Sequence, residues 1–355
     1  ADIGKKVKAF CKANPKQKII TANGFIISAV NEKRLPNRFE LDEWSDNRAM
    51  IVYSIDGHSS AISTRLMEML KLPTENSDGI FSGEAHEFMQ GKVTTLIASN
   101  VTPAIIAKGI ANFSNLCASY GISRVCAMDG NEDVENDILT KALAFLAERM
   151  DIDVRLFPQY MEYDRLHSFS KKQKTLRAGG CGVWELDGSV GSHSAAFNEP
   201  YKDNGTQGHC YYEKDKIKSK VSEALDKNIR LSCHAIGESA IDQITEIYGE
   251  LEDRIPTIGA MMRIDHFEFP SEKAVKLIRK LPLAITVQPG FSWVDKHFLK
   301  SYEQFLPESI INRQLPLKDL MNSDVCICGS SDSPVQSVNP YEQMLGMVDF
   351  YLQDQ

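Results

Sequence analysis

From about residue 120 short apolar runs alternate with amphipathic segments, and this rhythm restricts the fold of the 355-residue chain more than any other feature. The runs are Ser123–Met128, Val154–Tyr160, Cys181–Leu186, Ile229–Cys233, Met261–Phe267, Leu283–Val287 and Val325–Cys328. Each is short and mostly apolar or β-branched, as buried parallel strands are. Helical spacing recurs between them. Asn136–Met150 carries Ile138, Leu139, Leu143, Leu146 and Met150, Asp215–Asp226 carries Ile217, Val221 and Leu225, and Glu238–Leu251 carries Ile241, Ile244, Ile247 and Leu251. Ser271–Arg279 opens on a serine and carries Ala274, Leu277 and Ile278. A βα alternation implies a parallel sheet with helices outside it. Seven strands predict an α/β fold, a (β/α)₈ TIM-type barrel lacking its first strand. An open doubly wound sheet is the competitor.

Residues 1–100 lack this rhythm. Gly4–Ala13 reads as a helix, Lys18–Ile27 and Met50–Ile55 as strands, and Leu72–Gly91, with Pro73, Gly79, Gly83 and Gly91, as loop and turn. The expected division is a helix plus an inserted capping subdomain over residues 1–100, and barrel strands two to eight over 101–355.

Bulk properties narrow the partners. The net charge is -8 and no long basic run occurs, so nucleic acid is a poor partner. No apolar stretch approaches the roughly 20 residues of a membrane helix. The eight cysteines are scattered without a CxxC pair, which predicts reduced, buried thiols and a cytoplasmic protein. The expected partner is a small-molecule substrate; the sequence does not give an oligomeric state. Trp44, Trp184 and Trp293 read as buried aromatics, and Lys171-Lys172-Gln173-Lys174 as a solvated surface.

In a barrel, chemistry gathers where strands end at their carboxyl side. The runs end in Glu185-Leu186-Asp187-Gly188-Ser189, in Cys233-His234, in Asp265-His266, in Gln288-Pro289-Gly290 and in Ser331-Asp332-Ser333. Imidazole and carboxylate are the usual ligands of a zinc-like ion, which makes hydroxide available near neutral pH. One strand-end histidine is more often a packed one. Two on successive strands, with an aspartate ending the last, favour a metal site.

These residues carry a resemblance. The runs Leu186-Asp187-Gly188-Ser189-Val190-Gly191-Ser192, His234-Ala235-Ile236-Gly237-Glu238-Ser239-Ala240-Ile241, Arg263-Ile264-Asp265-His266 and Ser331-Asp332-Ser333-Pro334-Val335 resemble the amidohydrolase superfamily. The match is to its amidohydrolase-3 branch, which includes N-substituted formamide deformylase-like enzymes, and Asp56-Gly57-His58-Ser59 is similar to a further motif of that branch. The resemblance implies a (β/α)₈ barrel and metal-dependent hydrolysis of an amide-like, non-peptide C–N bond. It implies His234, His266 and Asp332 as metal ligands, with Asp332 also shuttling the catalytic proton. Asp187, His58 and Gln288 fall near the substrate, and Glu185 or Asp187 is a further candidate ligand. Glu185 reads equally as a salt-bridge partner of an Arg or Lys.

Two departures follow from the same comparison. No two of the eight histidines stand one residue apart, whereas the family opens its barrel on His-x-His. The expectation is a chain cut after strand one and at its far end, holding one divalent ion, zinc first, or none, so that the hydrolase activity of the parent need not survive the cut. The branch also often carries a Lys where this chain has Val183, which argues against a binuclear site. The alternative function is a metal-free barrel that binds a small ligand without catalysis.

Overall fold

The computed structural model describes residues 2–75, 77–99, 101–130, 132, 137–169, 175–255, 262–323 and 325–352. The run from Lys171 to Lys174, Asn136 and Met261 lie outside the described residues. The chain divides into two compact units, residues 1–100 and 101–355.

The first unit is a four-stranded sheet in the order β1-β2-β3-β4. Strands β1 (Ile19–Phe25) and β2 (Ala49–Ser54) are parallel; β3 (Ser59–Ile62) and β4 (Ile80–Ser82) continue the sheet antiparallel. Alternation along β2 supplies two cores. Met50 and Val52 pack with Ile20 and Leu41, while Ala49 and Ile51 pack with Ile62, Leu66 and Val93. Helix Arg38–Ser45 starts on a capping box of Asn37 and Glu40. The loop expected over Leu72–Gly91 is corrected: β4 and helix Gly83–Ala98 occupy much of it. Gly83 and Gly91 suggested turns, but His86, Met89 and Val93 bury one face of a continuous helix.

The second unit contains all seven expected strands. They are β5 (Arg124–Asp129), β6 (Asp153–Pro158), β7 (Arg177–Glu185), β8 (Arg230–Ala235), β9 (Met262–His266), β10 (Ala284–Val287) and β11 (Cys326–Gly329). β5 and β6 pair in parallel, and β7 to β11 form a five-stranded parallel sheet in chain order. Helices Lys214–Asp226, Glu238–Glu250 and Glu272–Ile278 lie between the strands, the last capped by the Ser271 hydroxyl on Ala274 N. Their buried faces, including Ile217, Val221, Ile241, Ile244, Ile247 and Ile278, join Leu231, Ile264 and Ile285 in one core. Trp184 is buried there, its Nε1 donating to Tyr160 O at 3.0 Å.

The expectation of buried thiols is corrected in part. Cys11, Cys117 and Cys233 are buried, but Cys126, Cys326 and Cys328 are exposed free thiols. Their strands, β5 and β11, are edge strands. No single helix among the described residues is long and apolar enough to cross a membrane.

β5 ends on Asp129, whose carboxyl is pushed up to about 6, first by burial and second by the Asp137 carboxylate. A carboxyl raised this way adds stability fully below its unfolded value near 3.8, and that contribution is lost as pH rises through about 6. Asp129→Asn should therefore flatten the fall in stability between those values, by up to about 2 kcal/mol. Urea melts across this range read the slope; an unchanged slope refutes the assignment.

Candidate metal centre

Strand β7 is built around a glycine-rich segment. Gly179, Gly180 and Gly182 have φ of +121°, +103° and +70°, a backbone open to glycine and strained for other residues. The register with β8 shifts there, from Gly180 opposite Cys233 to Glu185 opposite His234. Such a bulge re-aims the side chains that follow it. Glu185 and His234 are both buried, with Glu185 Oε1 4.0 Å from His234 Nε2.

His266 closes β9 with φ +73°, and Phe267 follows at +48°. Successive left-handed residues are uncommon away from functional or turn sites. The His266 ring meets that of His234 at a steep angle, centroids 4.4 Å apart, and Phe291 lies 6.2 Å beyond. Burying a carboxylate beside imidazoles is costly unless charges are paired or held by a metal. Zinc bonds to nitrogen and oxygen are about 2.0–2.2 Å, so the Glu185–His234 separation lets one ion touch both. The donor set of carboxylate and imidazole suits zinc or a similar divalent ion.

Asp187 is engaged by the main chain. Its Oδ1 accepts from Ile236 N at 3.0 Å, and its Oδ2 accepts from Gly237 N at 2.8 Å and Ala196 N at 2.9 Å. The fully buried carboxylate thus clamps the turn after β8 to the loop after β7. It also faces His234 Nδ1 at 3.8 Å, which favours a proton on that nitrogen and leaves Nε2 for a ligand.

Asp332 follows β11 with φ +51° and is half-buried. Among the described residues, neither His234, His266 and Asp332 nor Glu185, His234 and His266 bring their ligand atoms all within 4.8 Å of one another. Glu185 Oε1 and the His266 ring both lie beside His234. Gln288, just past β10, is buried. His58 sits in the first unit on the turn joining β2 to β3, also buried.

Sequence reasoning missed two neighbours. Asp265 pairs with Arg263 Nε at 2.9 Å and accepts from the Ser232 hydroxyl, directly beside His234 in the sheet register. Alternation in Arg-Ile-Asp was the available signal. Glu268 is buried, and burial pushes its carboxyl up to about 7 while Ser292 and Gln314 donate to it. Nothing in the sequence marked it. His193 pairs with Asp203 at 2.8 Å, its ring against those of Tyr201 and Phe305.

A parallel α/β unit with carboxylate and imidazole at its strand ends is the class defined so far. The sequence profile of the Amidohydrolase family matches residues 1–349, and the chain belongs to that family. It is 20% identical to the putative amidohydrolase YtcJ of Bacillus subtilis over 85% of this chain and 59% of that protein. It is 19% identical to the N-substituted formamide deformylase of Arthrobacter pascens over 95% of this chain and 65% of that protein. The chain therefore spans less than two thirds of either relative. Among solved structures it shares the fold of an uncharacterized metal-dependent hydrolase from Pyrococcus horikoshii. The TM-score is 0.72 at 19% identity, covering 97% of this chain and 68% of that one. A second, from Pyrococcus furiosus, gives 0.69 at 22% identity, with 97% and 69% covered.

Proposed function

We propose that this chain is a metal-dependent hydrolase of amide-like, non-peptide C–N bonds in a small molecule, built on a (β/α)₈-type barrel. The buried Glu185–His234 pair, with His266 packed against it, carries the reading. Five parallel strands hydrogen-bonded in chain order support a barrel wall, since a doubly wound sheet reverses its order at a switch point. Glu185 and His234, with the His266 ring packed against that of His234, would hold one divalent ion, zinc first. When bound, such an ion polarises a carbonyl and lowers the pKa of water. Asp332 serves as the proton carrier, accepting the proton of the attacking water and delivering it to the leaving nitrogen. Gln288 contacts the substrate. The name of the Arthrobacter relative supports an N-substituted formamide as the first substrate to try.

The test is to strip the chain with a chelator, reload it with zinc, and measure stoichiometry and formanilide hydrolysis. One zinc per chain and zinc-dependent release of aniline are expected. A cooperatively folding chain that retains no metal and releases no aniline sinks the reading. Glu185→Gln should weaken zinc binding about 10- to 100-fold, read with a competing chelator.

A further inference from the structure

Gln288 lies just past β10, between β9, which ends on His266, and β11, which continues into Ser330 and Asp332. Its side-chain amide has a defined orientation. Nε2 donates to Ser330 Oγ at 3.0 Å and, more weakly, to Thr286 O at 3.4 Å. A hydroxyl either donates or accepts, but a backbone carbonyl only accepts, so the NH₂ group must face Thr286. Oε1 is thereby turned the other way. It is buried and has no hydrogen-bond partner among the described residues. The Thr286 hydroxyl, one pleat deeper in β10, is buried and unpartnered in the same sense. A buried acceptor left unmet costs about 1–3 kcal/mol, and a ligand N–H removes that cost.

We propose that Gln288 makes this site select substrates that present an N–H, primary or secondary amides, over tertiary amides and esters. This deepens the amide-hydrolase reading and rests on it. The selection is one of polarity. The Gln288 oxygen meets an N–H, whereas an ester oxygen brings an acceptor against an acceptor and an N-alkyl group brings no donor. A site with an unmet polar group rejects the analogue lacking the matching one far more strongly than an apolar pocket rejects a missing methylene.

Formanilide and N-methylformanilide differ in that N–H. Each is titrated calorimetrically into the 355-residue chain, once chelated and once zinc-loaded. Formanilide should bind at least about 10-fold more tightly in the chelated protein. In Gln288→Met the ratio should fall below about twofold, through loss of the acceptor at similar side-chain volume. Ser330→Ala, which removes only the anchor of the amide, should narrow the ratio without abolishing it and serves if Gln288→Met does not fold. Equal affinities, no binding of formanilide, or a ratio unchanged in both variants overturns the proposal; equal affinities would mean that water already fills the acceptor. A chain that discriminates the two ligands but takes up no zinc fails the hydrolase reading and leaves the selection standing.

Discussion

His234→Asn is expected to abolish stoichiometric zinc uptake and to lower formanilide turnover on the order of 10³-fold, as loss of a several-kcal/mol Lewis-acid contribution requires. The position is central on geometric grounds. His234 touches both neighbours, with Glu185 at 4.0 Å from Nε2 and the His266 ring packed against its own. Its other nitrogen faces the Asp187 carboxylate. Asparagine keeps an N–H beside Asp187 but presents no imidazole nitrogen to an ion. Thermal stability should change little, because Asp187 keeps its three backbone donors. Metal analysis and melting on the same sample read the two effects separately. Full zinc occupancy in the variant would remove His234 from the site.

Asp187→Ala should show the opposite profile. It leaves three backbone amides, at Ala196, Ile236 and Gly237, without their acceptor in a buried place. At about 1–3 kcal/mol for each buried group left unmet, partly relieved by entering water, the loss of stability should be about 3–5 kcal/mol. Zinc stoichiometry well below the melting temperature should survive, since both Asp187 oxygens already serve the backbone. Asp187→Asn should lie between wild type and alanine, because its oxygen still accepts while its NH₂ faces donors. A variant that loses zinc at unchanged stability would make Asp187 a ligand after all.

The strand rhythm from residue 120 was legible because parallel strands buried on both faces are written as unbroken apolar runs. All seven runs became strands, with ends displaced by a few residues. His234, His266 and Gln288 were legible for a related reason: each is a polar residue at or near the end of such a run. What failed depended on neighbours that no local pattern records. Cys126, Cys326 and Cys328 looked buried because strand residues usually are, yet β5 and β11 are edges. Leu72–Gly91 looked like loop because its glycines outweighed a stripe of only three buried residues. Asp187 read as a candidate ligand or substrate neighbour, and its main-chain contacts were not legible. Its partners are main-chain amides 9, 49 and 50 residues away, which carry no side-chain signature.

The glycine bulge in β7 has a consequence for random mutagenesis. A methyl group at Gly179 would sit 2.0 Å from Ser232 O, and one at Gly180 would sit 2.7 Å from the Met128 Cβ. Neither glycine is a candidate ligand, and a glycine codon reaches larger residues in one base change. A loss-of-function screen should therefore return hits at these positions as readily as at His234, scored as folding or alignment defects rather than chemical ones. The fragility of such a centre is distributed along the strand that delivers Glu185.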